Sequence, residues 1–478
     1  MEKISTDYLV VGSGAMGMAF TDVLLTETKA NITIIDKHHQ PGGHWNDAYP
    51  FVRLHQPSAF YGVNSKKLGN NSIDSTGLNK GLYELATNNE VCGYFDQVMQ
   101  RQFIASGRVQ YFPSCEYLGN GRFVSLISKD EYQATFKKEV DSTYMNVMVP
   151  SKRPPPFKIE GEAHCTAING LPDLKEQYSD FVIVGAGKTA IDAILFLLKN
   201  GVKPDFIKWI MPRDSWILDR SHIQPTLESV GKLFTNQIIP GAESKSIDDF
   251  FERVSKAGGL LRIDENIKPT MYRCSTVTKS ELKELRRIKN VIRKGRVKII
   301  NDKEILLDGG SIPTSLGTLH IDCAGDGLAK RPPKKIFDSR KITLQSVRTC
   351  QQVFSAALLG FIEASFEDDE KKNKLCKPVP HPNSDIDFLR NTIADAQNQE
   401  SWINEPILNR WLEESRLNPQ SHILKGSFTF KILSTINKIP FIQLSNSALK
   451  AQARAQETIK QLLETEEVNN YTNLNKIN

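Results

Sequence analysis

Two glycine-rich turns, each directly behind a short apolar strand, constrain this chain more than any other feature. The first lies in residues 7–17 (DYLVVGSGAMG) and the second in residues 180–190 (DFVIVGAGKTA). In both places a helical segment and a second apolar strand follow, which is the βαβ unit of a doubly wound sheet. The sequence therefore predicts an α/β protein with two Rossmann-like domains that hold two dinucleotides face to face.

In the first turn each glycine has a separate role. Gly12 permits the bend, Gly14 lets the backbone approach a pyrophosphate, and Gly17 allows close contact between helix and strand. The following helix presents unpaired N–H groups and its positive end to the phosphates. Asp36 ends the second strand, where an acid accepts hydrogen bonds from a ribose diol. The residues predicted to bind this dinucleotide are Gly12, Ser13, Gly14, Ala15, Met16, Gly17, Asp36 and Lys37.

The second turn carries Ala190 in place of the third glycine, which the motif allows. The strand that follows, residues 206–211, ends without an acid, and Arg213 comes two residues later. A guanidinium there can pair with a 2′-phosphate, which favours NADPH over NADH, whereas the adjacent Asp214 would oppose it. The residues predicted to bind this second dinucleotide are Gly185, Gly187, Lys188, Thr189, Ala190 and Arg213.

A third glycine-containing motif, residues 42–45 (GGHW), follows Asp36. An acidic residue followed by GGxW resembles the FAD domain of class B flavoprotein monooxygenases, the flavin-containing and Baeyer–Villiger monooxygenases. The resemblance covers residues 1–70 and 180–330. It implies FAD on the first turn, NADPH on the second, and Gly43, His44 and Trp45 beside the FAD. Packing in the core is the alternative role for Trp45.

Residues 53–61 (RLHQPSAFY) resemble the family segment that places an asparagine against the reactive edge of the flavin. Here Gln56 is the nearest amide and His55 stands beside it, so the resemblance implies that these two are the catalytic candidates. A purely structural loop is the alternative. Residues 318–327 resemble the segment that links the two nucleotide domains, and Asp326 within it is predicted to approach FAD.

One family motif is altered. The pattern FxGxxxHxxx(Y/D) that precedes the second turn in class B monooxygenases has its nearest counterpart in residues 157–164 (FKIEGEAH), where both spacings differ. In the family that motif couples NADPH binding to oxygenation. The leading hypothesis is an FAD-dependent oxidoreductase that uses NADPH to reduce the flavin and oxygenates a small organic substrate with molecular oxygen. A reductase or oxidase without substrate oxygenation, and a non-catalytic FAD-binding scaffold or sensor, are the alternatives.

The cysteines show no pattern of a metal or disulfide site. The count is odd and no CxxC or CxxxxC pair occurs. The sequence therefore predicts reduced thiols, with no disulfide, redox-active dithiol or metal site. The seven cysteines are Cys92, Cys115, Cys165, Cys274, Cys323, Cys350 and Cys376.

The net charge of +6 is spread along 478 residues, and no apolar stretch has the length of a membrane helix or the flanks of a signal peptide. We therefore expect a cytoplasmic protein that binds neither nucleic acid nor membrane. The sequence leaves open whether the protein forms oligomers.

The predicted organisation follows from the two βαβ units and the proline-rich segment at residues 151–157. Residues 1–156 are the first part of the FAD-binding domain and residues 157–320 the NAD(P)H-binding domain. Residues 321–385 return to the FAD-binding domain, and residues 386–478 are a mostly helical region with a frayed tail.

Two local patterns add detail. Residues 109–149 predict an antiparallel meander of short strands. Thr278 and Glu281 form the sequence pattern of a capping box, which predicts a helix that extends to about Ile292.

Overall fold

The computed structural model describes residues 1–325, 331–421 and 440–475. The first part of the chain forms β1 (Glu2–Val11), α1 (Ala15–Glu27), β2 (Ile32–Ile35), α2 (Asn88–Val98), β3 (Val109–Phe112), β4 (Cys115–Gly119), β5 (Arg122–Ser125) and β6 (Glu131–Asp141). The next part forms β7 (Lys158–Ile159), β8 (His164–Ala167), β9 (Asp180–Val184), α3 (Lys188–Lys199), β10 (Ile207–Ile210), β11 (Ser215–Asp219), α4 (Leu227–Leu233), α5 (Ile239–Ala242), α6 (Ile247–Lys256), β12 (Met271–Val277) and α7 (Lys279–Leu285).

The remaining elements begin with β13 (Asn290–Ile292), β14 (Val297–Ile300), β15 (Glu304–Leu307), β16 (Gly310–Pro313), β17 (Thr318–Asp322), β18 (Phe337–Asp338) and β19 (Lys341–Thr343). They end with α8 (Gln352–Ser365), α9 (Asp369–Leu375), α10 (Asp385–Ile403), α11 (Pro406–Glu414) and α12 (Pro440–Asn475). Short 3₁₀ or π turns lie at Gly43–Asp47, Ser58–Phe60, Met99–Phe103, Ile104–Ser106, Pro150–Lys152, Ile168–Asp173, Pro204–Phe206, Arg220–His222 and Phe234–Ile238.

The first sheet has the strand order β18-β19-β6-β1-β2-β3, and the hairpin β4–β5 extends from β6. Strands β19, β6, β1, β2 and β3 are parallel. Val11 pairs with both Ile35 and Asp141, so these strands end at one common edge. Strands β18 and β19 follow all strands of the second sheet in the sequence but pair with the first sheet. The first sheet is therefore built from two separate parts of the chain.

The second sheet is fully parallel, in the order β13-β10-β9-β17-β8. Val184 pairs with Ile210 and with Asp322, so the second glycine turn leaves the sheet at the edge where β10 and β17 also end. Two sheets, one with five adjacent parallel strands and one fully parallel, each carry a glycine turn at the carboxyl edge of these strands, which confirms the predicted Rossmann-like α/β fold class.

Helices α1 and α8 form the main packing layer on the first sheet. Residues 16–25 of α1 are all buried, because the helix lies between the sheet and α8. Gly360 in α8 is required for this contact, since a Cβ atom there would lie 2.8 Å from the carbonyl oxygen of Phe20. The apolar composition of both helices is therefore explained by burial on every side.

Three sequence predictions are corrected by the structure. Residues 109–149 are not a simple antiparallel meander, because β3 and β6 join the parallel sheet and only β4 and β5 form antiparallel pairs with their neighbours. The helix after Thr278 ends at Leu285, since residues 290–292 pair with β10 instead. Cys274 and Cys350 form a disulfide, so the prediction of reduced thiols throughout was wrong.

None of the helices in the described residues is long and apolar enough to cross a membrane.

Candidate dinucleotide-binding site

The first glycine turn is held by close backbone contacts. Gly12 has a φ of +100°, a conformation that favours glycine, and its N–H donates to the carbonyl of Ile35 at 2.7 Å. A Cβ atom on Gly17 would collide with the carbonyl oxygen of Gly12, so the third glycine lets α1 begin directly against the turn. The N-cap residue Gly14 supplies no side chain, which leaves the first N–H groups of α1 for a ligand.

Asp36 lies at the end of β2 and is almost completely buried. Its Oδ2 accepts hydrogen bonds from the N–H and hydroxyl of Ser13 at 2.5 and 2.8 Å, and its Oδ1 accepts from the N–H of His38 at 2.7 Å. Nδ1 of His38 lies 3.0 Å from the same Oδ1, and Nε2 lies 2.9 Å from Asp47. The acid predicted to bind ribose therefore also joins the glycine turn to the loop after β2.

The contacts around His38 shift the pKa values of His38, Asp36 and Asp47. The hydrogen bond to Asp36 raises the pKa of His38, against the opposing effect of burial, and Asp47 adds to the rise. Burial tends to raise the pKa of Asp36, but hydrogen bonds from His38 and Ser13 outweigh it and the pKa is lowered. The pKa of Asp47 is lowered in the same way, by Lys152 and His38 against burial.

The GGHW motif packs directly on the first turn. A Cβ atom on Gly43 would lie 2.9 Å from the Cα of Gly14, so the two glycine segments approach each other without side chains between them. Trp45 is buried in the main core and donates from Nε1 to the hydroxyl of Tyr61 at 2.7 Å. His44 stacks on Trp45 with ring centres 5.6 Å apart, and burial lowers its pKa to about 4. Trp45 thus serves the core and also borders the glycine contact.

The second turn has a more open approach. Gly185 has a φ of +135°, and a Cβ atom there would lie 2.5 Å from the carbonyl oxygen of Cys323. A Cβ atom on Gly187, by contrast, would meet no described atom within 4 Å. Gly187 is also the N-cap of α3 and gives no side-chain cap. Space and unpaired N–H groups therefore coincide at the position predicted to approach a pyrophosphate.

One carboxylate joins the two turns. Lys188 was predicted to meet a phosphate, and its Nζ lies 2.5 Å from Oδ2 of Asp192, one helical turn further along α3. The hydroxyl of Tyr49, in the loop that follows the GGHW motif, donates to the same oxygen at 2.6 Å. Burial, with the negative charge of Asp192, raises the pKa of Tyr49 well above its usual value. The bond joins the loop beside the first turn to the helix of the second.

Charge at the end of β10 is arranged around Asp214. This buried carboxylate forms a two-point ion pair with Arg293, with Nε–Oδ2 and Nη2–Oδ1 distances of 2.8 and 3.0 Å. Arg293 follows β13, the neighbouring parallel strand. Arg213 donates instead to the carbonyl oxygens of Thr270 and Asn383, at 2.5 and 3.3 Å. The acid that was expected to oppose a 2′-phosphate is therefore paired with Arg293, and a second arginine, Arg213, stands at the same edge.

His55 lies on the loop between the two turns. Arg220, from the segment after β11, donates to the carbonyl oxygen of His55 at 3.0 Å and fixes its backbone. Burial, together with the positive charges of Lys188 and Arg220, lowers the pKa of His55 to about 3. Its Nδ1 is buried and has no hydrogen-bond partner among the described residues. A neutral imidazole with an unused polar atom is available for a ligand, and the half-buried Gln56 follows it.

The C-terminal region fastens the far end of the same loop. Arg416, which follows α11, donates to the carbonyl oxygens of Ala59, Tyr61 and Val63 at distances of 2.5 to 2.9 Å. Ser415 donates to Oδ1 of Asn64 at 2.9 Å. The loop that carries Tyr61, the hydrogen-bond partner of Trp45, is therefore held in place by the segment that follows α11.

Comparison with known proteins identifies relatives of this chain. Residues 10–62 match the NAD(P)-binding Rossmann-like domain family. Uncharacterized proteins of Mycobacterium tuberculosis and Mycobacterium bovis are 49% identical over 437 residues, which span 88% of this chain and 79% of theirs. The chain belongs to the family of these mycobacterial proteins.

Solved structures with a similar fold include several monooxygenases and a bacillithiol disulfide reductase from Staphylococcus aureus. Cyclohexanone monooxygenase from Rhodococcus sp. Phi1 bound to NADP⁺ is 15% identical, with a TM-score of 0.46 over 76% of this chain and 84% of that one. An oxidised steroid monooxygenase bound to NADP is 12% identical, with a TM-score of 0.47 over 75% and 84%. The flavin-containing monooxygenase from Stenotrophomonas maltophilia is 12% identical, with a TM-score of 0.42 over 76% and 97%.

The structure places the predicted site residues in two groups. Those around the first turn are Gly12, Ser13, Gly14, Ala15, Met16, Gly17, Asp36, Gly43, His44 and Trp45, and those around the second are Gly185, Gly187, Lys188, Thr189 and Ala190. His55 and Gln56 lie on the connecting loop, Lys37 is exposed beyond β2, and Arg213 lies at the end of β10 with its guanidinium on backbone carbonyls. Asp326 lies outside the described residues.

Sequence reasoning missed several residues that shape the site, namely His38, Tyr49, Asp192, Arg220, Arg293 and Arg416. Asp192 carried a readable signal, because an acid four residues after Lys188 lies on the same helix face. His38 lies only two residues after Asp36. The remaining four, Tyr49, Arg220, Arg293 and Arg416, meet the site through contacts between distant parts of the chain, which no local pattern shows.

Proposed function

We propose that this protein is an oxidoreductase that binds FAD at the first glycine turn and NADPH at the second. The observation that carries the proposal is the hydrogen bond between Tyr49 and Asp192. It joins the loop that follows the GGHW motif, beside the first turn, to α3, the helix of the second turn. Two dinucleotide sites fastened together suit hydride transfer from one cofactor to the other. In the proposed organisation residues 1–156 and 321–385 bind FAD, residues 157–320 bind NADPH, and residues 386–478 are helical.

The first turn suits the pyrophosphate of FAD. The contact between Gly14 and Gly43 leaves bare backbone at the N-terminus of α1, where unpaired N–H groups attract phosphate oxygens. Asp36 would accept a ribose hydroxyl by sharing an oxygen that now serves Ser13 or His38. Trp45 and Tyr61 would line the protected side of the cofactor.

The second turn suits NADPH. Open space at Gly187 admits the pyrophosphate, and the ion pair with Arg293 prevents Asp214 from repelling a 2′-phosphate. Arg213 is the guanidinium that would bind that phosphate after it releases the carbonyl oxygens of Thr270 and Asn383.

FAD held by the first turn would supply an acceptor for hydride from NADPH held by the second turn. The chain's own part is to position both cofactors and to exclude water. His55 and Gln56 are the proposed hydrogen-bonding residues at the reacting centre, because His55 remains neutral and has a buried unused Nδ1. We further propose that a small organic substrate is oxygenated with molecular oxygen, on the basis of the GGHW motif and the loop at residues 53–61. The altered spacing at residues 157–164 favours the second candidate, a reductase or oxidase that releases peroxide.

The test begins with the purified protein under anaerobic conditions. We expect the absorbance of oxidised flavin, bleached faster by NADPH than by NADH. Arg213→Ala is expected to weaken NADPH binding by about 10- to 100-fold and to leave NADH binding unchanged, because a charge-assisted hydrogen bond contributes about 1.5–3 kcal/mol. Arg287→Ala, which removes an exposed arginine paired with Glu284, is the matched control.

The results separate the candidates. Protein that binds no FAD contradicts the proposal, and protein that keeps a flavin unreduced by NADPH indicates the scaffold or sensor. In air, a panel of ketones, sulfides and amines separates the remaining two. A product heavier by one oxygen atom supports oxygenation, whereas peroxide equal to all the NADPH consumed with every compound supports the reductase or oxidase.

A further inference from the structure

Three potential metal ligands converge far along the chain from both glycine turns. Cys274 lies in β12, Cys350 precedes α8, and His381 precedes α10. Their ligand atoms all lie within 4.8 Å of one another, and Cys350 Sγ is 4.0 Å from Nδ1 of His381. The two cysteines form a disulfide with a Cα–Cα distance of 6.4 Å. A disulfide alone needs only two cysteines, so the adjacent imidazole suggests a further role.

The backbone is specially shaped at both cysteines. Cys274 has a φ of +57° and Cys350 a φ of +58°, in the left-handed region that residues with a side chain rarely adopt. Strand β12 bulges at Cys274, because Tyr272 and Thr276 pair with Trp216 and Leu218 and so leave more residues on β12 than on β11. Bulges of this kind redirect a side chain, and unusual φ values are concentrated at functional sites.

Hydrogen bonds from neighbouring residues fix the relative positions of the three ligand segments. Arg273, next to Cys274, donates to Oδ1 of Asn383, two residues after His381, at 2.6 Å. Asn391 of α10 donates to the carbonyl oxygen of Pro380 at 2.7 Å. Asp395, also of α10, accepts from the N–H of Thr349 at 2.9 Å. Supporting bonds around ligands, rather than the ligands alone, orient a metal site.

We propose that Cys274, Cys350 and His381 form a zinc site that opens when their disulfide is reduced. Two thiolates and an imidazole are ligands typical of Zn²⁺, and the described residues supply three of them, which leaves a fourth position for water or a substrate thiol. A dithiol reductant would supply two electrons, break the S–S bond and itself become a disulfide. The two cysteine thiols would then each release a proton to solvent as they bind Zn²⁺, with His381 neutral.

The test uses the full chain. The protein is treated with a chelator, reduced under nitrogen and then separated from the reductant. We expect Co²⁺, used as a spectroscopic probe, to bind with a stoichiometry of about one and to give thiolate-to-cobalt charge-transfer absorbance that Zn²⁺ abolishes. The oxidised protein is expected to give none. Cys274→Ser and Cys350→Ser should each remove this absorbance, and His381→Ala should weaken Co²⁺ binding by about tenfold or more.

Two controls keep the outcome readable. Cys165→Ser alters a half-buried thiol in β8 and should leave the cobalt spectrum unchanged. Far-ultraviolet circular dichroism would show that each variant is folded. A reduced, folded wild-type protein that gives no charge-transfer absorbance overturns the proposal. Absorbance that persists in both cysteine variants also overturns it, because another site then binds the metal.

Discussion

At the scale of single residues, Gly17 and Gly187 occupy comparable motifs but have different surroundings. A Cβ atom on Gly17 would collide with the carbonyl oxygen of Gly12, so the backbone would have to shift to accommodate it. We therefore expect Gly17→Ala to lower the free energy of unfolding by about 1–3 kcal/mol. Gly187→Ala meets open space at a φ of −90°, so its stability should change by less than about 0.5 kcal/mol.

The two variants should separate folding from binding. Gly187→Ala places a methyl group where we propose that the pyrophosphate of NADPH approaches, so its NADPH affinity should fall although its stability does not. Urea unfolding and NADPH titration of both variants measure these quantities. Equal stability of Gly17→Ala and the wild type would contradict the close contact, and normal NADPH affinity of Gly187→Ala would contradict the binding site.

A second residue-scale prediction concerns pH. The folded-state pKa of His38 is raised by Asp36 and Asp47, so its stabilising contribution is complete below the unfolded value of about 6.5 and is lost as pH rises through the folded pKa. The two carboxylates have lowered pKa values, so their contribution is lost as pH falls below about 4. The interaction of His38 with Asp36 and Asp47 should therefore stabilise the fold most between about pH 4 and about pH 6.5.

Thermal unfolding of His38→Asn and the wild type, from about pH 5 to about pH 9, measures this dependence. We expect the difference in unfolding temperature to be largest at the acidic end and to shrink as pH rises. His39→Asn, at the exposed neighbouring position, is the control. A difference that stays constant across the range would show that His38 acts without its charge.

At the scale of helices and strands, the sequence predicted where helix α7 begins better than where it ends. The capping box of Thr278 and Glu281 is present as predicted, because its signal lies within four residues. The end of α7 was predicted seven residues too late, at Ile292 instead of Leu285, because residues 290–292 pair with β10, a strand some 80 residues earlier. Local chemistry specifies a cap, whereas sheet pairing depends on distant residues.

The cap itself can be tested. Thr278 accepts from the N–H of Glu281 at 3.0 Å and donates to the carbonyl oxygen of Leu78 at 2.8 Å. We expect Thr278→Ala to lower the free energy of unfolding by about 1–2 kcal/mol and Thr278→Ser to restore most of it. Thr465→Ala, on the exposed face of α12, should change it by less than about 0.5 kcal/mol. Unchanged urea unfolding of Thr278→Ala would show that the helix does not depend on this cap.

At the scale of the whole molecule, the contacts between distant parts of the chain were invisible in the sequence. Both glycine turns could be predicted because each is a contiguous motif. The clamp of Arg416 on the loop at residues 59–63 and the disulfide between Cys274 and Cys350 join segments far apart in the chain. Neither has a local signature. The prediction of no disulfide rested on the odd number of cysteines and the absence of closely spaced pairs, and neither feature bears on two cysteines 76 residues apart.

The bond between Tyr49 and Asp192 gives the prediction at this scale. Tyr49→Phe removes a hydrogen bond to a carboxylate and leaves Asp192 with Lys188, so the loop that carries His55 loses one of its attachments to α3. FAD content should be unchanged, because the first turn is intact. The anaerobic rate of flavin reduction by NADPH should fall about tenfold or more, since such a bond contributes about 1.5–3 kcal/mol and poor alignment slows transfer.

Stopped-flow absorbance at saturating NADPH measures this rate. Tyr178→Phe is the matched control, because the hydroxyl of Tyr178 bonds only the nearby exposed Glu176 among the described residues. Loss of FAD from Tyr49→Phe would mean that the bond supports the first site itself. A normal reduction rate with normal FAD content would mean that the two nucleotide sites are aligned without it. Slower reduction in Tyr49→Phe alone would show that this single bond between distant parts of the chain sets the geometry of hydride transfer.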